Sequence, residues 1–334
     1  MRRNMAIIIS GLLLIGFLFS GCTVKKSEKI QNGIGVVVAK FDDTWRTSVR
    51  NELYKLSEGK IKIDIWNSDG SQKTENEKVE TLIKSKVKVL VINLVETSGA
   101  DEIIAMAKKA DIPVIFFNTE PSSEALNKWN KVYYVGAKGE QSGSMQGSIL
   151  AGYFKNKPTK DGIIRYVMLK GQAGHPDMAA RTEYSVKALQ SEGLKLQEVA
   201  SVNADWERSK AQQQMEQILA AQSNIDCVIA NNDDMALGAI DALKEKGYFS
   251  GGRYIPVVGV DALGGGVNAL QNGTLLGTVL NDAESQGKAI FELAAVLAEG
   301  KLPDKNNIGN SITDEKYIWI DYKIITKENI GDAK

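Results

Sequence analysis

An α/β protein of two parallel-sheet domains in tandem is the fold class the sequence predicts, and three observations predict it. From Ile34 onward, short runs rich in β-branched and aromatic residues alternate with longer segments of helical period. The short runs are apolar almost throughout instead of alternating, which marks strands covered on both faces, as in parallel sheets. About 300 residues follow the N-terminal segment, more than one core usually holds, so the strand-helix units divide into two domains.

In chain order the predicted strands are IGVVVA (34–39), IKIDIW (61–66), VKVLVINL (87–94), IPVIFF (112–117), KVYYVG (131–136), IIRYVML (163–169), DCVIA (226–230), YIPVVGV (254–260) and LLGTVLN (275–281). Between them lie helical segments such as SGADEIIAMAKKA, in which Ile103, Ile104, Met106 and Ala107 mark one apolar face. Parallel strands joined by helices take right-handed crossovers and are covered on both sides. The units run as two successive sets, broken near residues 118–140.

In open α/β sheets the ligand sits beyond the carboxyl ends of the strands. Those ends are polar here. Asp42, Asp43 and Trp45 follow the first run, Asn93 closes VKVLVIN, and Asn118 follows IPVIFF. His175, the one histidine of the chain, comes after IIRYVML with Asp177 and Arg181; Trp206 follows further on. Asn232 follows DCVIA, Asp261 follows PVVGV, and Asn281 ends LLGTVLN. Asn both donates and accepts, ionised Asp only accepts, and Arg donates in a rigid fork. A sugar hydroxyl donates and accepts at once, so this set suits a polyhydroxylated ring, and Trp45 and Trp206 offer flat faces to its C–H groups. Taken singly, an Asp or Asn past a strand serves as readily as a helix N-cap. Recurrence at nearly every strand end is what favours a binding site.

Catalytic readings lack their anchors. There is no G-x-S-x-G, no phosphate-binding G-x-x-x-x-G-K-[ST] and no G-x-G-x-x-G. A lone His has no second His or thiol cluster with which to hold zinc. Asp43 paired with Asp261 leaves a glycosidase as the one hydrolytic alternative. The chain is not expected to be an enzyme.

Arg2 and Arg3, the apolar stretch Met5 to Phe19, and Ser20-Gly21-Cys22 read as an export signal over residues 1–21. A cysteine directly after small residues looks like the bacterial lipobox, which implies lipid on Cys22. Residues 22–32 then form a polar tether holding the protein to the outer face of the cell membrane or in the periplasm. Removing the signal leaves 39 Lys and Arg against 41 Asp and Glu, which gives no footprint for nucleic acid. Cys227 has no partner and reads as a small buried hydrophobe.

The stretches KFDDTW, VINLVE, VIFFNTEPS, YYVGAKGEQSG, LKGQAGHPDMAART, VIANNDDMALGAIDALK, VVGVDAL and GTVLNDAESQGKA resemble, in order and spacing, the periplasmic galactose/glucose-binding proteins of bacterial ABC sugar importers. The resemblance covers nearly all of the chain after the tether. It implies a type 1 periplasmic binding protein fold: two Rossmann-like lobes joined by a three-strand hinge, the first lobe over 33–117 and 283–315, the second over 118–282 and 316–331. It implies that Asp43, Asn93, His175, Asp177, Arg181, Asn232, Asp261 and Asn281 hydrogen-bond the sugar and that Trp45 and Trp206 sandwich it. The implied partners are D-galactose or D-glucose, or a methyl galactoside, and the subunits of an ABC permease, with the binding protein a monomer. A sugar sensor signalling to a chemoreceptor or kinase would share every one of these residues and remains open at this point. The family's calcium loop departs from its pattern here: in KPTKDGIIR, Asp161 survives and Asp226 matches a distant ligand, but Lys157, Ile163 and Arg165 stand where oxygens are required. No calcium site is expected.

Overall fold

The structure, a computed structural model, describes residues 30–222 and 224–333. Cys22, the export signal and nearly all of the expected tether lie outside the described residues. Among the described residues no helix is long and apolar enough to cross a membrane.

The first lobe is a six-stranded parallel sheet built from β1 (Ile30–Val38), β2 (Ile61–Asn67), β3 (Val89–Asn93), β4 (Val114–Phe117) and β5 (Val132–Gly136), with β11 (Tyr317–Trp319) returning from the far end of the chain. The order is β2-β1-β3-β4-β5-β11. Helices α1 (Thr44–Ser57), α10 (Ala283–Ala298) and α11 (Lys305–Ile308) cover one face, where Val49, Leu53, Ile290, Leu293 and Ile308 pack on Val36, Val91 and Ile115. Helices α2 (Gln72–Lys84), α3 (Ala100–Ala110) and α4 (Ser123–Leu126) cover the other with Val79, Leu82, Ile103, Ala107 and Leu126. Strands buried on both faces can be apolar without interruption, which is why this sheet was legible as continuous runs.

The second lobe repeats the plan. Its strands β6 (Ile163–Lys170), β7 (Lys195–Asn203), β8 (Cys227–Ala230) and β9 (Val257–Val258) lie in the order β7-β6-β8-β9, all parallel. β10 (Thr278–Leu280) and β12 (Lys323–Ile325) form an antiparallel pair, joined to that sheet by the bridges Val258–Gly277 and Asp261–Leu280. Helices α5 (Gly139–Asn156) and α6 (Pro176–Ser191) cover one face; α7 (Arg208–Ala221), α8 (Asp233–Glu245) and α9 (Gly264–Gln271) cover the other. α5 and α6 approach to backbone contact. A Cβ on Gly143 would lie 2.9 Å from the Arg181 carbonyl oxygen, and one on Gly147 would lie 2.5 Å from that of Ser185. That close approach fixes the helix that carries Asp177 and Arg181.

The chain passes between lobes three times, after β5, between β10 and α10, and between β11 and β12. The expected boundaries need three corrections. Ile30, expected in the tether, begins β1 and pairs with Ile61, so the first lobe starts before residue 33. Residues 132–136, expected in the second lobe, pair with β4 in the first sheet (Val114 with Val132), so the first passage follows residue 136 and not 117. Residues 317–319, also expected in the second lobe, pair with β5 (Ile318 with Val135). The turn-rich stretch after Asn118 reads as a domain break, but β4 would be left with an open apolar edge without β5, and pairing it satisfies the backbone. β7 went unread because it is an edge strand and largely polar, KLQEVASVN.

Candidate functional site

The carboxyl ends of both sheets face one another, and nine of the ten residues singled out from the sequence line a single chamber there. From the first lobe come Asp43 and Trp45; from the second His175, Asp177, Arg181, Trp206, Asn232 and Asp261; Asn281 stands at the second passage between lobes. Asn93 does not line it. It is fully buried behind the wall, where its Oδ1 accepts from Arg46 Nε at 2.7 Å and its Nδ2 donates to Asn118 Oδ1 and Thr119 Oγ1, both at 3.2 Å. Asn93 therefore aims Arg46 and Asn118, both of which do line the chamber.

The question of cap or site resolves into both. Asp43 caps α1, accepting from Arg46 N–H at 2.6 Å, and its other oxygen pairs with the Arg46 guanidinium at 3.1 Å. His175 caps α6 through Nδ1, which accepts from Asp177 N–H at 3.2 Å. Asn232 caps α8 through Oδ1 and gives Nδ2 to the Trp206 carbonyl at 3.3 Å. Caps stand at helix starts, and in this fold helix starts follow strand ends, so one position serves both roles.

Electrostatics inside the chamber are set by burial. Arg181 is 3% exposed and reaches Asn231 O at 2.8 Å, Asp177 Oδ2 at 2.9 Å and Tyr322 Oη at 3.1 Å. Burial pushes the Asp177 carboxyl up, and the Arg181 charge opposes it. Asp261 is pushed well above the carboxylate range by burial, again opposed by Arg181; among the described residues its one side-chain bond is from Asn281 Nδ2 at 3.5 Å. His175 is lowered to about 3 by burial and by the charges of Arg46 and Arg181, so it is neutral at physiological pH. With Nδ1 accepting from the backbone, its proton sits on Nε2 and points at Thr119 Oγ1, 3.2 Å away.

That His175–Thr119 bond crosses between lobes. So do Thr44 Oγ1 to Asp234 Oδ2 at 2.6 Å and Lys40 to Glu207 at 3.6 Å, while Trp45 Nε1 donates to the Asn281 carbonyl at 2.7 Å. The lobes stand close together, and the chamber has about 30 Å³ of free volume, room for one or two waters. Anything the size of a monosaccharide enters only when the lobes part. Two buried donors on its lining, Arg181 Nε and Trp206 Nε1, have no partner among the described residues. Unmet buried donors cost free energy unless a ligand takes them.

Asn118 is among the polar strand ends of the sequence but outside the set the resemblance implies, and Arg46 and Thr119 are legible in neither way. Arg46 stood one residue beyond Trp45 and three beyond Asp43, the spacing of neighbours on a helix, which was the available signal. Asp205 and Trp206 both have positive φ (53° and 69°), and Gly171 lacks the Cβ that would lie 2.1 Å from the Trp206 ring. Strain of this kind in a bulky residue persists where surroundings over-determine it. It presents the indole to His175, with ring centroids 5.2 Å apart.

In the stretch that departs from the calcium pattern, a protein cation is present. Arg165 pairs with Asp161 at 2.5 Å and lies 3.7 Å from Asp226, whose Oδ2 also accepts the Arg165 N–H at 2.8 Å. The Arg165 bond holds Asp161 down at about 2, helped by Ile163 N–H. Treatment with EDTA is accordingly expected to leave Tm and ligand affinity unchanged; a fall in either that added calcium restores would refute the substitution of guanidinium for metal.

Three comparisons bear on what this chamber belongs to. A family model described as a periplasmic binding protein domain matches residues 34–302. The D-galactose/methyl-galactoside binding periplasmic protein of Haemophilus influenzae is 35% identical over 329 residues, covering 96% of this chain and 97% of the relative. The ribose import binding protein of the same organism is 26% identical over 308 residues, covering 92% and 96%. Among solved structures, an ABC transporter solute binding protein from Bacillus halodurans with bound myo-inositol superposes with a TM-score of 0.77 at 27% identity, covering 90% of this chain and 96% of that one. These relatives are binding proteins, not enzymes. With two parallel-sheet lobes, three passages between them and a polar chamber in the cleft, this chain belongs to the periplasmic binding protein family.

Proposed function

We propose that the protein is an exported lipoprotein, anchored through Cys22, that captures D-galactose or D-glucose by hinge closure and delivers it to an ABC permease. The observation that carries this reading is the convergence, from both lobes, of Asp43, Arg46, Asp177, Arg181, Asn232 and Asp261 with two indoles and two unmet buried donors. Ligand contacts from both lobes favour the closed state and shift the population toward it. Asn281 would donate to and accept from ring hydroxyls, Asp261 would accept from them, and Trp45 and Trp206 would face the C–H surfaces of the pyranose. Asn93 acts through Arg46. Micromolar binding requires about 8 kcal/mol, and hydrogen bonds to charged groups contribute about 1.5–3 kcal/mol each. The galactoside-binding name of the relative matching at 35% identity over nearly the full length supports the hexose.

Calorimetric titration of residues 28–334 with D-galactose, D-glucose and D-ribose in EDTA tests the reading. Micromolar or tighter binding of a hexose, with ribose at least tenfold weaker, is the expected result. No heat with any of the three sugars would remove the hexose assignment and leave only the fold.

A further inference from the structure

Asp233, the first residue of α8, stands one position beyond the chamber residue Asn232 but does not itself line the chamber. It is 4% exposed, and it joins three segments of the second lobe. Its Oδ2 accepts from the Ala262 N–H at 2.9 Å, its Oδ1 accepts from Thr278 Oγ1 on β10 at 2.7 Å, and its own N–H donates to the Val260 carbonyl at 2.7 Å. The seat is shaped around the carboxyl. A Cβ on Gly259 would lie 2.1 Å from Oδ1 and one on Gly266 would lie 2.1 Å from Oδ2, so neither flank has room for a side chain.

What the carboxyl holds is a strained turn. Asp261 and Ala262 have φ of 121° and 56°, a region that residues with a Cβ keep only where their surroundings over-determine it. Three bonds do so here: Asp261 N–H to the Val279 carbonyl at 2.8 Å, Asn281 N–H to the Asp261 carbonyl at 3.4 Å, and Ala262 N–H to Asp233. The Asp261 side chain has, among the described residues, only the 3.5 Å bond from Asn281, so the conformation of the turn is what aims it into the chamber. Letting the turn relax would swing that carboxyl away.

Burial pushes the Asp233 carboxyl up to about 7, against the two bonds it accepts. When protonated, the group donates to Thr278 Oγ1 through one oxygen and still accepts from Ala262 through the other. The tether therefore does not depend on charge, and a carboxamide can reproduce it.

We infer that Asp233 is a positioning residue for ligand recognition: it fixes the strained Asp261–Ala262 turn and so aims the Asp261 side chain, without touching the ligand. This rests on the reading that the chamber holds a hexose.

The test is calorimetric titration of the mature protein and its variants with D-galactose and D-glucose, with Tm measured in parallel. Asp233→Ala is expected to weaken hexose binding at least thirtyfold, and Asp233→Asn to stay within threefold of the parent. Thr278→Val removes one donor with little change of shape and should weaken binding at least fivefold. Coupling is the readout that a merely structural role would not move. In an Asp261→Ala background, Asp233→Ala should weaken binding less than threefold further, whereas in an Asp43→Ala background, altered only in the first lobe, the full thirtyfold loss should remain. An Asp233→Ala protein with lowered Tm but affinity within threefold of the parent overturns the assignment. So do equal losses in the two backgrounds, or a loss in Asp233→Asn as large as in Asp233→Ala. If Asp233→Ala does not fold, the same cycle is run with Thr278→Val, and equal losses in both backgrounds again overturn it. A parent that binds neither hexose overturns the reading of the chamber, and this one with it.

Discussion

Arg181→Met is expected to weaken hexose binding at least a hundredfold while leaving the two-lobe fold intact by circular dichroism. Methionine keeps most of the stem's volume, so the loss is of charge and donors. Two consequences compound. The sugar loses a buried charged donor, whose hydrogen bonds contribute about 1.5–3 kcal/mol each. Asp177 and Asp261 also lose the cation that opposes the effect of burial on them, and stranding one partner of a buried pair typically costs about 3–5 kcal/mol. Both carboxyls are then pushed further upward in the folded state. A raised folded pKa means that stability is greatest below the unfolded value near 4 and falls as pH rises through the folded value. The variant's Tm should therefore drop more steeply between pH 5 and 8 than the parent's. Arg181→Lys should not rescue binding, because the ammonium cannot reproduce the fork that spans Asn231, Asp177 and Tyr322. A loss of less than tenfold in both variants would exclude Arg181 from the site.

The largest stability effect is expected at Glu75. This carboxyl is fully buried under the first sheet's rim, and burial raises it to about 8 even though Gln72 and the Val95 N–H donate to it. Against an unfolded value of 4.5, the folded state binds more protons between those limits, so stability declines as pH rises from about 5 to 8, by about 3 kcal/mol at pH 7. Glu75→Gln removes the titration. The variant's denaturation midpoint should fall less steeply over that range than the parent's, because the other raised carboxyls still titrate, and should exceed the parent's at pH 8. Parallel pH profiles for the two proteins would show that Glu75 is ionised and satisfied as it stands. The effect reaches the cleft, since Glu75 holds Val95 and Gln72 holds the Glu96 N–H at 3.1 Å, in the loop whose Val95 lines the cleft alongside Gln172 and His175.

Much of the cleft was legible because its residues obey local rules. Asp43, His175 and Asn232 announce themselves as polar groups at strand ends, and each caps the helix that follows. The strands of both sheets were readable as apolar runs, since parallel strands are buried on both faces. Less was legible where the rule is not local. Asn93 reads as a strand-end contact, yet it faces Arg46, and nothing within five residues of Asn93 says so. Arg46 itself looked like an ordinary helical arginine until the fold set it beside Asn93 and Asp43.

The sequence by itself determined the α/β class, the two tandem sets of strand-helix units and most of the chemical groups around the cleft, because hydrophobic period and strand-end polarity are properties of neighbouring residues. Tertiary structure alone decided which sheet receives β5 and β11 and how far apart the lobes stand. It also decided which of the polar groups point inward and which stand behind as supports. Those outcomes depend on pairing between segments as distant as Val135 and Ile318 and on contacts such as Trp45 to Asn281. The free energy of such contacts comes from satisfying buried edges and donors across the whole chain, a condition no local pattern encodes.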